Sequence, residues 1–206
     1  ELAHQIKIDD SVATNGVCTT TNTLTVDVVN IAVDLSVPDT VRICVGESLD
    51  IIAAAEPAGT VVTWTPVTNL QLGPNGTTAT ATPNETTLYT ATVSVPGCVR
   101  KDAVYVRVDS LPDDMSISPA DTMVCYGNPV LLRSPIYDPA EYPEIEFSWT
   151  PGGITPDSLY NLVATPTATT VYQRISRSGA CADTATANIT VVEPPQMSIT
   201  PALTTL

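Results

Sequence analysis

The sequence has little of what nucleic-acid-binding and membrane-binding proteins require. It contains 8 lysines and arginines against 22 aspartates and glutamates, a formal net charge of −14. A nucleic-acid-binding surface needs a basic footprint, and an anionic membrane surface attracts the same positive charge. No run of 18 apolar residues is present, so no stretch is long enough to cross a bilayer as a helix. We therefore expect no nucleic-acid partner and no direct membrane insertion.

The residues and motifs of common catalytic centres are also missing. His4 is the only histidine, and the chain has neither a glycine-rich phosphate loop nor a nucleophile elbow. Zinc sites use closely spaced cysteine pairs or cysteine with nearby histidine, and neither pattern occurs. Only scattered carboxylates remain for acid–base chemistry. The sequence therefore predicts a protein that is not an enzyme.

Aromatic residues make up only 5% of the chain, so a core has to rest on valine, isoleucine, leucine and alanine. Helical patterns with a period of 3.6 residues are absent. Short alternating runs rich in Thr, Val and Ala are separated by Pro, Gly, Asn and Asp, and the chain has 18 prolines. Alternation between turn residues is typical of half-buried strands. The predicted fold class is all-β.

The most informative feature is an internal repeat of about 80 residues. Five landmarks recur in the same order, at offsets from 81 (Cys44 to Cys125) to 85 (Trp64 to Trp149). The first copy contains Cys44-Val45-Gly46, Trp64-Thr65-Pro66, Ala81-Thr82-Pro83, Thr86-Thr87-Leu88-Tyr89 and Gly97-Cys98. The second contains Cys125-Tyr126-Gly127, Trp149-Thr150-Pro151, Ala164-Thr165-Pro166, Thr169-Thr170-Val171-Tyr172 and Ala180-Cys181.

This repetition divides the chain into four segments. Residues 1–31 are predicted to be the C-terminal hairpin of a preceding repeat, and residues 195–206 the first strand of a following one. Between them lie two complete repeats, 32–110 and 111–194. About seven short strands in 80 residues indicate an immunoglobulin-like β-sandwich. The linkers are short and contain proline, which favours a semi-rigid rod of tandem sandwiches.

The repeated aromatic residues have two interpretations. Trp64 and Trp149 could be platforms that stack on sugars, or they could belong to the sandwich core. Both lie at the same strand phase, and Phe147 shares the inward face with Trp149, which favours the core. Tyr89 and Tyr172 are also predicted to pack in the core, each with its hydroxyl hydrogen-bonded near a turn.

The cysteines recur as pairs within each repeat. We predict the disulfides Cys44–Cys98 and Cys125–Cys181, each near one end of its sandwich. Cys18 stays unpaired because its expected partner would precede residue 1. A disulfide that closes a loop of this length stabilises a domain by about 3–4 kcal/mol on the chain-entropy model. Structural disulfides also indicate an oxidising, extracytoplasmic compartment.

Four acidic residues close to the junction of the repeats, Asp109, Asp113, Asp114 and Asp121, could chelate calcium. Calcium sites gather several carboxylate oxygens, but no regular calcium-loop spacing occurs here. Solvated surface charge is the favoured interpretation. We therefore expect no cofactor, with calcium as the alternative.

The order of the landmarks resembles the PKD-like and immunoglobulin-like repeats of very large cell-surface proteins of Bacteroidota. That family includes gliding-motility adhesins and other cargo of the type IX secretion system. The resemblance implies long extracellular stalks that display adhesive or catalytic domains. It also implies O-glycosylation where Asp precedes Ser or Thr and an aliphatic residue follows. The residues that fit this pattern are Ser11, Thr40, Ser110, Thr122, Ser158 and Thr184.

The function expected from these observations is a non-catalytic structural or adhesive repeat region of a secreted bacterial surface protein. Its expected partners are neighbouring repeats or like subunits, together with surface glycans. One alternative is a carbohydrate-binding or accessory module of a secreted polysaccharide-degrading enzyme, which would need exposed aromatic side chains. Another is a subunit of an extracellular filament assembled by strand exchange.

Overall fold

A computed structural model of the 206-residue chain describes residues 3–14, 16–17, 19–151 and 160–198. Side chains are described for residues 16–17, 28–151 and 160–198. The chain forms two compact units, Glu1–Val108 (unit 1) and Asp109–Leu206 (unit 2). The division into four segments made from the repeat stays a prediction.

Unit 1 contains ten strands and a single turn of 3-10 helix, Pro74–Gly76, among its described residues. The strands are β1 (Ala3–Thr14), β2 (Thr19–Val29), β3 (Ala32–Leu35), β4 (Thr40–Cys44), β5 (Leu49–Glu56), β6 (Val62–Thr65), β7 (Leu70–Leu72), β8 (Thr78–Ala81), β9 (Thr87–Val95) and β10 (Cys98–Asp109). The end of β10 is the first residue of unit 2.

Strands β1 and β2 form a two-stranded antiparallel sheet of their own. Their register runs from Ala3 opposite Val29 to Thr14 opposite Thr19, with a shift between Asp10 and Val12. Ser11 is the extra residue at this shift, as in a β-bulge. Both strands lie within residues 1–31, and the assignment of this segment to a preceding repeat stays a prediction.

The rest of unit 1 is a sandwich of two four-stranded sheets. One sheet has the order β4-β10-β9-β6 and the other the order β3-β5-β8-β7. Strand β9 shows why these segments are strands, because Tyr89, Ala91 and Val93 on one face are buried while Leu88 and Ser94 on the other are exposed. The two inner faces enclose a core of valines, alanines and isoleucines around Trp64 and Tyr89.

Among its described residues, unit 2 repeats the first sheet of this plan and has a second sheet of only two strands. Its strands are β11 (Asp121–Cys125), β12 (Val130–Leu132), β13 (Glu146–Thr150), β14 (Leu162–Ala164), β15 (Thr170–Ser178) and β16 (Cys181–Val192). One sheet has the order β11-β16-β15-β13, the same as β4-β10-β9-β6 in unit 1, and β12 pairs with β14. Strands β11 and β16 are parallel, with Asp121 opposite Asn188 and Cys125 opposite Val192.

The repeated Thr-Thr landmark has the same structural role in both units. The Thr86 Oγ1 accepts a hydrogen bond from the Val108 amide, and the Thr169 Oγ1 accepts one from the Val191 amide, both at 3.1 Å. The second threonine of each pair, Thr87 or Thr170, donates to the carbonyl two residues earlier at 2.7 Å. Each pair therefore ties the turn before one long strand to the last strand of the repeat.

Candidate functional site

Unit 2 carries an aromatic cluster that has no counterpart at the same positions of unit 1. Tyr137 lies in the long segment between β12 and β13, and its ring stacks on Phe147 of β13 with 5.8 Å between centroids. The Tyr160 ring meets both of these rings edge-on at 5.9 and 5.7 Å. Edge-to-face and offset arrangements suit the charge distribution of aromatic rings. Phe147, predicted as a core residue, is half-buried in this cluster.

At the centre of the cluster is Arg174 of β15, whose side chain is completely buried. Its guanidinium carbon lies 5.0 Å from the centroid of the Phe147 ring, a cation–π arrangement. One terminal nitrogen donates to the Met115 carbonyl at 3.0 Å and to the Tyr137 hydroxyl at 3.3 Å. Its Nε and other terminal nitrogen have no hydrogen-bond partner among the residues with described side chains. The buried guanidinium is therefore held by one ring face and two neutral oxygens.

The hydrogen bonds around Arg174 continue through the tyrosine. The Tyr137 hydroxyl donates to the Asp114 carbonyl at 2.7 Å, and the Tyr160 hydroxyl donates to the Tyr137 carbonyl at 3.3 Å. The pKa of the Asp114 carboxyl is lowered, chiefly by hydrogen bonds from Ser116 and to a smaller extent by the charge of Arg174. The cluster thus fixes the segment before β11 and the long loop onto the face of β15.

Arg174 is a site residue that was not predicted, although the sequence contains a signal for it. Tyr89 and Tyr172 align in the repeat, so Ala91 aligns with Arg174, and both lie two residues further along on the inward face. An arginine at a position that is alanine in the other copy indicates a buried cation. Of its two hydrogen-bond partners, Tyr137 lies in the longer loop of the second repeat, whereas Met115 precedes β11.

We expect Arg174→Ala to lower the free energy of unfolding of unit 2 by about 2 kcal/mol, because the cation–π contact and two hydrogen bonds are lost. Arg177→Ala is the matched control, since Arg177 is an exposed residue on the same strand. It should change the stability by less than about 0.5 kcal/mol. Urea titration with hydrogen exchange of β15 and β16 peptides measures both. Equal losses in the two variants would contradict a structural role for the buried guanidinium.

The cysteines do not form the predicted pairs. Cys44 and Cys181 are disulfide-bonded, whereas Cys98 and Cys125 are free and exposed. The predicted Cys44–Cys98 and Cys125–Cys181 disulfides are therefore wrong. Cys18, predicted to be unpaired, lies outside the described residues.

The physical reason is the direction of the strands. Cys125 ends β11 opposite Val192, and Cys181 begins β16 eleven residues earlier. At about 3.3 Å per residue these cysteines are about 36 Å apart, far beyond the 4.4–6.8 Å between the Cα atoms of a disulfide. Strand β4 lies beside β10 in the same way as β11 lies beside β16. The backbone amide of Tyr105 donates to the Asp39 carbonyl, and the backbone amide of Asn188, at the equivalent position, donates to the Ala120 carbonyl. The two cysteines of a repeat thus lie at opposite ends of one sheet.

The predicted core residues lie inside the two sandwiches. Trp64 and Trp149 are only 4% and 8% exposed, and Tyr89 and Tyr172 are also buried. The Trp64 Nε1 donates to the Gly76 carbonyl at 2.8 Å, and the Tyr89 hydroxyl donates to the Thr68 carbonyl at 3.1 Å. Burial raises the pKa of the Tyr89 and Tyr172 hydroxyls, so both remain protonated at neutral pH. Neither tryptophan offers a face to a sugar.

The four acidic residues considered as calcium ligands do not share a common site. Asp109 is buried, and its carboxylate accepts a hydrogen bond from the Ala180 amide at 2.8 Å. Asp114 accepts from the Ser116 amide, and Asp121 accepts from the Asn188 side chain, both at 2.9 Å. Asp113 is exposed. No group of three or more metal-ligating side chains occurs within the described part of the chain.

The residues that fit the O-glycosylation pattern occupy different settings. Thr40, Ser110 and Thr184 are exposed, and Thr122 is half-buried in β11. Ser11 lies at the bulge of β1, and Ser158 lies outside the described residues.

A shallow cavity of about 290 Å³ is present near the Trp-Thr-Pro turn of unit 1. Its lining residues are Pro66, Thr68, Asn69, Asn84, Glu85 and Thr87. They include no aromatic ring and no histidine, and the single carboxylate is Glu85. The cavity therefore has neither a stacking surface nor a paired acid and base.

Within the described residues, no helix is long and apolar enough to span a membrane.

Comparison with known proteins identifies the fold. No family model and no curated protein matches the chain. Among solved structures, the extracellular domains 3–5 of Drosophila OTK match with a TM-score of 0.51 and 11% identity, over 84% of this chain and 69% of that one. An I-band fragment of titin matches with a TM-score of 0.46 and 16% identity, over 80% of this chain and 66% of the fragment. The insect immune protein hemolin matches with 0.48 and 13%, over 80% and 47%.

At these identities the similarity concerns the fold alone. The two units are immunoglobulin-like β-sandwiches in tandem, as predicted from the spacing of strands and turns.

Proposed function

We propose that the chain is a non-catalytic structural and adhesive repeat region of a large secreted surface protein of the Bacteroidota type, acting as an extracellular stalk or fibre. Its repeats resemble the PKD-like repeats of that family. Its expected partners are neighbouring repeats, like subunits and surface glycans.

The observation that carries this proposal is that both units share one sandwich architecture and that the residues that mark the repeat are buried in its core. Trp64 and Trp149 fill two separate cores, and Thr86 and Thr169 make the same hydrogen bond at the same distance. A repeat that uses the same contacts in each copy is suited to forming a long stalk, because each copy folds around its own core and further copies can be added.

The carbohydrate-binding alternative is disfavoured by the same observation. It requires aromatic faces that are open to a sugar, and both tryptophans are buried. The strand-exchange filament stays a prediction.

The proposal predicts that the chain is displayed outside the cell. Brief protease treatment of intact cells should release its peptides, while a cytoplasmic marker enzyme stays inside.

Peptides around the exposed Thr40 and Thr184 should exceed their sequence masses if the O-glycosylation pattern is used. Electron microscopy of the native protein would distinguish a tether from a polymer. Release of these peptides only after lysis would overturn the proposed location and, with it, the function.

A further inference from the structure

The four repeated cysteines fall into two positional classes. Cys44 and Cys125 are the last residues of β4 and β11, and we call them strand-end cysteines. Cys98 and Cys181 are the first residues of β10 and β16, directly after a tight bend, and we call them hairpin cysteines. Each repeat contributes one cysteine of each class.

One member of each class is disulfide-bonded and the other is free. The bonded residues are the strand-end cysteine Cys44 and the hairpin cysteine Cys181. The free residues are the hairpin cysteine Cys98 and the strand-end cysteine Cys125, and both are exposed. Each of these two free thiols therefore occupies a position that is disulfide-bonded in the other copy of the repeat.

The free cysteines cannot find partners within their own repeats. The strand-end and hairpin positions of a repeat lie at opposite ends of one sheet, about 36 Å apart by the length of β16. A disulfide requires Cα atoms about 4.4–6.8 Å apart. A partner for Cys98 or Cys125 has to come from another copy of the repeat.

We propose that Cys98 and Cys125 are cross-linking cysteines, each of which forms a disulfide with a cysteine of the opposite class on a further copy of this repeat. Cys98 and Cys125 are both free, so they are not bonded to each other within one chain, and in a solution of the purified chain the further copy is a second molecule. The product is a disulfide between Cys98 of one molecule and Cys125 of the next, and repetition of the step gives a covalent chain of molecules.

The chemistry is thiol–disulfide exchange with a small-molecule disulfide such as oxidised glutathione. The thiolate of one cysteine attacks glutathione disulfide, which forms a mixed disulfide and releases one glutathione thiolate. The second cysteine's thiolate then attacks the protein sulfur and displaces the other glutathione. Two protein thiols are oxidised, one glutathione disulfide is reduced to two glutathione molecules, and both thiol protons end on glutathione.

The test uses the full chain with Cys18→Ser, so that Cys98 and Cys125 are the two thiols that remain. Cys98→Ser and Cys125→Ser are then made separately in this background, and each protein is incubated with oxidised glutathione. Both positions are exposed, so neither substitution removes a core contact. Products are resolved by non-reducing electrophoresis and peptide mapping.

The parent protein should form a ladder of covalent oligomers. Each single variant should stay monomeric, because it retains one class only. An equimolar mixture of the two should give a dimer that contains the Cys98–Cys125 peptide pair, at least about tenfold above either variant alone. Equal dimerisation of the single variants would show unselective surface oxidation and overturn the proposal, as would a mixture that stays monomeric. The purified protein is tested, so failure here leaves the proposed surface function untouched.

Discussion

Replacing Trp64 by alanine is expected to lower the free energy of unfolding of unit 1 by about 3–5 kcal/mol. The side chain fills the centre of the core and is 4% exposed, so its removal leaves a cavity that the sheets cannot close. It also leaves the Gly76 carbonyl without the indole donor. Equilibrium urea unfolding, with hydrogen exchange of β9 and β10 peptides, assigns the loss to unit 1.

Two controls separate the parts of this effect. Trp64→Phe keeps most of the ring volume but not the hydrogen bond, and it should cost about 1–2 kcal/mol. Leu88→Ala, at an exposed position of β9, should change stability by less than about 0.5 kcal/mol. If Trp64→Ala were as mild as Leu88→Ala, the tryptophan would be a surface residue in solution, and the sugar-binding alternative would gain support.

Gly76→Ala is expected to destabilise unit 1 by about 3 kcal/mol or more. Gly76 has a φ of +68°, where side chains are strained, and an added Cβ would overlap the Val62 carbonyl oxygen. Val62 is the first residue of β6 and pairs with Val93 of β9. To remove the overlap, either β6 or the backbone at Gly76 has to move, and the Gly76 carbonyl accepts the hydrogen bond from Trp64.

Gly46→Ala is the matched control, because Gly46 has a φ of +86° but no atom within 4 Å of an added Cβ. It should show only the conformational cost, about 1 kcal/mol. Both variants can be followed by Trp64 fluorescence in a Trp149→Phe background, because these are the two tryptophans of the chain. Equal losses for the two glycines would mean that the Val62 contact is not formed in solution.

The sandwich could be predicted from the sequence because its signals are local and repeated. Alternation at Tyr89, Ala91 and Val93 defines an inward face, and Pro and Gly mark the ends of strands. Comparison of the two copies then distinguishes residues that recur at equivalent positions from residues that fit the pattern by chance. The burial of Trp64 and Trp149 could be predicted for the same reason, because both occupy the same position in the alternating pattern of their strands.

The disulfide pairing could not be predicted in this way. The spacing from Cys44 to Cys98 indicates that two cysteines recur, but not at which end of the sheet each one lies. That depends on the non-local pairing of β11 with β16, which is parallel and places Cys125 beside Val192. Arg174 was missed for a different reason, because one of its partners, Tyr137, comes from a loop that is longer in the second repeat than in the first.

The parallel pairing of β11 and β16 also determines how this repeat carries tension. Strand β11 lies towards the N-terminus of the repeat and β16 at its C-terminus, and they run side by side from Asp121 and Asn188 to Cys125 and Val192. A pull on the two ends slides these strands past each other along their length. The evenly spaced hydrogen bonds of the ladder are then loaded together in shear, rather than peeled apart one after another.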